Sequence, residues 1–228
     1  MTENQKLYIA VFIALLFHIS GAIGILCTPY RDWFIQNTSL NLLLMAVLVL
    51  FTQPIRNKAF FVFAATCFIT GMVAEAIGVN TGWLFGNYVY GAVMGFQIAG
   101  VPLLIGLYWF ITVFGAATTI RKLNHWAYTK MTGDTPPSAR VMVFAYVADA
   151  ALLTTFFDWV MEPVATELGF WKWLPDGNIP FYNYACWFII SALLVLLFNK
   201  LCFKQDNQFA VHLFIIQLLF FLVLQSFL

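Results

Sequence analysis

The sequence predicts an all-α integral membrane protein: a bundle of about seven transmembrane helices, with a re-entrant or interfacial Gly/aromatic segment between helices 3 and 4. Three observations carry this. Of 228 residues, 62% are in the hydrophobic set and only 9% are charged, against roughly a quarter in a soluble domain. Apolar runs recur along the whole chain, most of them near the about 20 residues that cross a bilayer as a helix. The few cations sort to alternate loops. A soluble globular domain and a disordered chain are excluded. The formal net charge is +1, from 11 Lys+Arg against 10 Asp+Glu, which leaves no basic field for nucleic acid. The expectation is a single transmembrane domain over residues 1–228, with no room for a separate soluble one.

The runs lie at about 7–27, 38–53, 59–79, 100–119, 141–163, 182–199 and 207–228. They are continuous rather than alternating, which argues against transmembrane strands. The second is short. The first is long for a signal-peptide core and no small-residue cleavage site follows it, so it is expected to be a retained helix. With seven spans, the N-terminus and loops 2–3, 4–5 and 6–7 share one side. That side carries Lys6, Arg56, Lys58, Arg121, Lys122, Lys130, Arg140, Lys200 and Lys204, while the other carries only Arg31 and Lys172. The positive-inside rule then puts the N-terminus in the cytoplasm and the C-terminus opposite, with a bacterial or archaeal plasma membrane as the expected location. Residues 80–99 carry no charge and hold Gly82, Gly86, Gly91 and Gly95 among aromatics. Glycine at that density breaks a spanning helix, and Trp and Tyr favour the membrane interface. The loop 164–181 is also aromatic and falls at the same outer level. No internal repeat of the kind found in many transporters is visible.

Glu75, Asp149, Asp158 and Glu162 fall within spans, and no Lys or Arg does. An ionised carboxylate without a cationic partner is costly there, so the neutral acid, a possible proton donor, is favoured. Spans 3 and 5 both run outward, which places Glu75, Asp158 and Glu162 at one depth. Asp158 and Glu162, four residues apart, share a helix face. Asp149, nine residues before Asp158, lies deeper on the opposite face, and a structural interhelical hydrogen bond is its expected role. The alternative for Glu162, just before Pro163, is an interfacial residue or cap. His18 is mid-span, and a packing role competes with a ligand-binding one. The three histidines differ in depth, which argues against paired haem ligation, and three are too few for a His-rich di-iron cluster. The four cysteines, Cys27, Cys67, Cys186 and Cys202, show no zinc spacing, so no metal site is expected. The last span lacks a lysine to anchor retinal. Trp83, Phe85, Tyr88, Tyr90, Trp109, Trp159, Trp171, Trp173 and Trp187 lie mostly at the level of the acids. Each could be an interfacial anchor, or together they could line a slot for a long lipid and face a carbocation.

The stretch E-A-I-G-V-N-T-G-W-L-F-G-N-Y-V-Y (75–90), then G-F-Q-I-A-G-V-P (95–102) and Trp109, resembles a signature of the CruF-type carotenoid 1,2-hydratases. D-W-V-M-E-P-V-A-T-E-L-G-F-W-K-W (158–173) and I-P-F-Y-N-Y-A-C-W (179–187) are similar to that family's second signature. These blocks cover about half of the chain. Gly106 and Asn178 depart from the family pattern, which has Pro and Gly at those places. The resemblance implies addition of water across the terminal 1,2 double bond of an acyclic (ψ) carotenoid end group, as in lycopene or γ-carotene, giving a tertiary alcohol. No metal, nucleotide or redox cofactor is implied. The expected partners are the acyclic or monocyclic carotenoid and membrane lipid, with association with other carotenoid-pathway enzymes as a further possibility.

The residues suggest the same chemistry. A trisubstituted alkene must be protonated to a tertiary cation and captured by a positioned water, which calls for a neutral acid in a dry site. Glu75 or Asp158 is the expected donor. The other, with Glu162, would orient the water, held also by Thr81, Tyr88, Tyr90 and Asn183. Trp83, Phe85, Trp109, Trp187 and His18 complete the expected binding set. Two other classes compete: a proton-coupled transporter or channel, and a non-catalytic carotenoid- or lipid-binding scaffold.

Overall fold

The computed structural model describes residues 1–130, 138–201 and 203–228. In chain order the elements are α1 (Glu3–Cys27), α2 (Arg31–Gln36), α3 (Thr38–Thr52), α4 (Lys58–Thr81), β1 (Tyr88–Tyr90), β2 (Gln97–Ile98), β3 (Val101–Pro102), α5 (Leu103–Lys130), α6 (Ala139–Glu167), β4 (Trp171–Trp173), α7 (Phe181–Lys200) and α8 (Gln208–Phe227). The protein is a multi-pass, all-α membrane bundle. Among the described residues six helices, α1 and α4 to α8, have 20 to 29 residues and are apolar enough to cross a bilayer. The remaining expected span, the second, is the shorter α3. Its 15 residues reach about 22 Å at 1.5 Å per residue, less than the roughly 30 Å hydrocarbon core.

Helix ends follow local chemistry. Thr2 and Gln5 form a capping box at the start of α1, satisfying orphan backbone donors. The Asn57 side chain accepts from Phe60 N at the start of α4, and α4 stops at Gly82 in the left-handed region, φ +69°. α5 is the central helix. From Trp109 to Thr118 every residue is buried, because α3, α4, α6, α7 and α8 all pack on it. A helix apolar all round belongs in such a position. The outer helices turn Phe12, Phe17, Ile69, Phe144 and Leu193 outward, as expected where the surrounding solvent is lipid.

Between α4 and α5 the glycine-rich segment is not helical. β2 and β3 form a small hairpin. β1 pairs antiparallel with β4 from the second aromatic loop, Tyr88 opposite Trp173 and Tyr90 opposite Trp171. Successive strand residues point to opposite faces. Tyr-Val-Tyr and Trp-Lys-Trp therefore send four aromatics inward while Val89 and Lys172 stay exposed. The Gly91 amide closes the ribbon on the Phe170 carbonyl at 2.8 Å. A Cβ at Gly91 would overlap the Gly169 carbonyl, so only glycine fits there.

Asp149 departs from its expected role. It is exposed and makes no hydrogen bond or ion pair among the described residues, because the face opposite Asp158 lies on the outside of the bundle. Cys27, Cys67 and Cys186 are free thiols, and Cys202 lies outside the described residues. Gly106, one of the departures from the family pattern, receives the Phe68 ring, which lies 2.5 Å from where a Cβ would sit.

Gly71 on α4 faces Trp109 of α5, and an added Cβ would sit 2.5 Å from the indole. Trp109 is fully buried and has nowhere to retreat. Gly71→Ala is expected to destabilise the bundle by about 1–3 kcal/mol through overpacking, read as a lowered Tm in detergent. An unchanged Tm would contradict the packing described.

Candidate active site

Three of the four intramembrane acids meet in one cavity. Glu75 comes from the last third of α4, and Asp158 and Glu162 from that of α6. Asn183 and Trp187 come from the first turns of α7, and Trp109 from the first turns of α5. Antiparallel packing of neighbouring helices brings these ends together. The cavity is lined by Glu75, Asp158 and Glu162 with Phe85, Tyr88, Tyr90, Tyr108, Asn183, Trp187 and the ribbon tryptophans, among others. No Lys or Arg lines it.

Donors satisfy the acids unequally. Glu75 Oε2 accepts from Tyr88 Oη at 2.5 Å and from Tyr90 Oη at 2.8 Å, and its Oε1 accepts from Trp109 Nε1 at 3.0 Å. Glu162 Oε2 accepts from Trp171 Nε1 at 2.9 Å and Trp173 Nε1 at 3.0 Å. Asn183 Nδ2 donates to Asp158 Oδ2 at 2.8 Å and reaches Glu162 Oε1 at 3.5 Å. Asp158 Oδ1 has no hydrogen-bond partner among the described residues, although Asp158 is 0% exposed. A buried polar atom left unpaired is costly. Here it marks a place where a proton or a water can sit.

The ribbon explains the donor pattern. Its register stacks Tyr88 near Trp173, with ring centroids 5.1 Å apart, and Tyr90 near Trp171 at 5.7 Å. Both tyrosines serve Glu75 and both tryptophans serve Glu162. Burial pushes the Tyr88 and Tyr90 phenols well above the usual range, and the Glu75 carboxylate pushes them the same way. Both remain neutral hydroxyl donors. Gly78 leaves the space that the Tyr88 hydroxyl occupies, 2.7 Å from a would-be Cβ. Behind Glu75, Trp109 stacks on Trp187 at 3.8 Å with planes 5° apart. Phe85 takes φ +64°, a left-handed conformation that bulky residues rarely adopt. It is held by its amide on Cys186 Sγ at 3.5 Å and by its ring against Trp109 and Trp187. Backbone strain of this kind tends to gather at functional sites.

Of the residues expected at the site, Glu75, Asp158, Glu162, Phe85, Tyr88, Tyr90, Asn183 and Trp187 line the cavity, and Trp109 bonds to Glu75 from behind. Thr81 and Trp83 do not join them. Thr81 Oγ1 donates to the Ile77 carbonyl and accepts from Trp83 N, finishing α4. Trp83 is 78% exposed. His18 lines a neighbouring cavity instead. Reasoning from sequence missed Tyr108 and Met161, which carry no local signal. It also missed the donor roles of Trp171 and Trp173, whose W-x-W alternation was the available clue. Among the described residues, no group of three or more His, Cys, Asp and Glu side chains could hold a metal ion.

A sequence profile of carotenoid biosynthesis proteins matches residues 36–228, a stretch that holds every side chain of the cavity. The chain belongs to this family. Among curated members it is similar to the bisanhydrobacterioruberin hydratase of Haloarcula japonica, 27% identical over 206 residues. That match covers 87% of this chain but 66% of the relative, so the chain spans just under two thirds of the relative's length. No solved structure matches.

The donor assignments can be tested by a double-mutant cycle. Tyr88→Phe should cost about 0.5–1.5 kcal/mol of stability in the wild-type background, the net worth of one hydrogen bond, because Tyr90 still donates to the same oxygen. It should cost less in Glu75→Gln, giving a coupling above about 0.5 kcal/mol. Additive losses would show that Tyr88 and Glu75 do not interact.

Proposed function

We propose that this family member is a membrane-embedded hydratase, which adds water across the terminal 1,2 double bond of an acyclic carotenoid end group. Asp158 acts as the proton donor. The observation that carries this reading is the inequality among the three acids. Glu75 and Glu162 have their oxygens occupied by donors from the ribbon and from neighbouring helices, whereas Asp158 keeps one oxygen free in a buried cavity. A carboxylic acid with one oxygen free beside the aromatic rings of the cavity can transfer its proton to carbon.

The steps balance without a redox change. Asp158 gives its proton to C2 of the end group, and the alkene π pair forms the new C–H bond, leaving a tertiary cation at C1. The faces of Trp187, Phe85 and Tyr108 oppose that charge through their ring quadrupoles, and the fixed Glu75 and Glu162 carboxyls add preorganised negative potential. A water held between Asn183 and Glu162 attacks C1 and gives its extra proton back to Asp158, directly or by way of Glu162. The product is a tertiary alcohol and the enzyme returns to its starting state. The charge distribution of the loops supports a cytoplasmic N-terminus, with the acid cavity toward the opposite leaflet.

Pigment extracted from lycopene-producing cells that express the chain should contain a tertiary alcohol absent from control cells. Asp158→Asn should lower its formation by about 10²- to 10⁴-fold, the usual contribution of a general acid, and Glu75→Gln should lower it less. Full activity in Asp158→Asn would overturn the assignment of the donor, and unmodified bound lycopene in the wild type would make the protein a scaffold.

A further inference from the structure

The acid cavity sets three carboxyls among aromatic rings, a lining suited to the reacting end group and not to the long apolar chain attached to it. The ribbon covers one side, so the chain must leave by another. A second, more apolar cavity adjoins the first and shares Ile105, Tyr108, Met161 and Trp171 with it as a common wall. The second cavity in turn shares Thr38, Asn41 and Phe220 with a surface groove walled by α1, α2 and α3 and by Phe220 of α8. Phe17, Trp33 and Leu40 on the groove are exposed, on a flank where the surrounding medium is lipid.

We propose that this series of spaces is the binding passage for the polyene chain of the substrate, which enters sideways from the bilayer between α1 and α3. The occupant's identity rests on the hydratase reading, while the route rests on the geometry. The lining suits a stiff hydrocarbon, since Leu42, Met94, Phe170, Phe220 and Phe221 dominate the second cavity. His18 turns its Nδ1 to the Ala14 carbonyl at 2.7 Å and its ring against Phe220 at 5.3 Å, so it walls the passage rather than serving the acids. Met161, unbranched and adaptable, stands with Tyr108 at the boundary between the two cavities. Gly21 keeps the groove open. A Cβ there would touch Phe220 at an ordinary 3.5 Å, whereas a large side chain would fill the space.

The test uses the full chain carrying Asp158→Asn, purified from lycopene-producing cells, with lycopene and any alcohol counted together as retained pigment. Adding Gly21→Trp or Leu44→Trp should cut the retained pigment at least fivefold. Ile23→Trp, on the same helix but 53% exposed to lipid, should leave it unchanged. Independently of those bulky variants, bound pigment should slow maleimide labelling of Gly21→Cys at least fivefold and that of Ile23→Cys not at all. Equal retention in all variants, equal labelling, or no retained pigment in the parent would each overturn the passage. Alcohol formed at the wild-type rate by Asp158→Asn would instead overturn the acid assignment and leave the retention and labelling results to decide the route.

Discussion

A carboxyl group buried in an apolar bundle must find hydrogen-bond donors, and leaving it without them costs more than most single side chains contribute to stability. Two glutamates on different helices, Glu75 on α4 and Glu162 on α6, meet this demand largely from one short ribbon. Tyr88 and Tyr90 of β1 donate to the first, and Trp171 and Trp173 of β4 to the second. The pairing of β1 with β4 thus ties together the ends of α4 and α6 and roofs the space between them. Asp158 lies under that roof and takes no donor from the ribbon. The division between satisfied and unsatisfied acids follows from the ribbon's register, since a slip of either strand by one residue would turn its two aromatics outward.

Much of the scaffold was legible in the sequence because hydrocarbon imposes a single rule, that runs of apolar residues become helices. The sorting of cations and the direction of each run were enough to place Glu75, Asp158 and Glu162 at one depth. The spacing of Asp158 and Glu162 placed both on one face, and the nine-residue offset of Asp149 put it on the other. The ribbon was not legible as structure. Each strand is three residues long, too short for a period of two to register, and its partner lies more than 80 positions away. Thr81 and Trp83 were grouped with the site by proximity in sequence, but the left-handed turn at Gly82 points the chain elsewhere for two residues before Phe85 returns to the cavity. Tyr108 and Met161 are ordinary members of apolar helices, and only the packing of α5 against α6 gives them a role.

The arrangement connects fold to chemistry through dryness. α5 fills the centre of the bundle, and the Trp109–Trp187 stack seals the space behind Glu75. In a site so enclosed, charges and dipoles act more strongly than they do in water, which favours the cation of the proposed mechanism. The proposed passage brings the substrate in from the lipid side, where an acyclic polyene would already be dissolved. Membership of the carotenoid biosynthesis family and the apolar spaces beyond the acids agree with such a substrate, and the ribbon with its donors accounts for why the aromatic loops lie where they do.

Proton transfer to carbon followed by capture of water is the central claim, and isotopes test it directly. The wild-type protein would be supplied with lycopene in deuterated water enriched in oxygen-18, and the product examined by mass spectrometry and NMR. The predicted alcohol carries one carbon-bound deuterium at C2 and one oxygen-18 at C1. An alcohol whose oxygen comes from dioxygen, or whose C2 carries no deuterium, would contradict the mechanism.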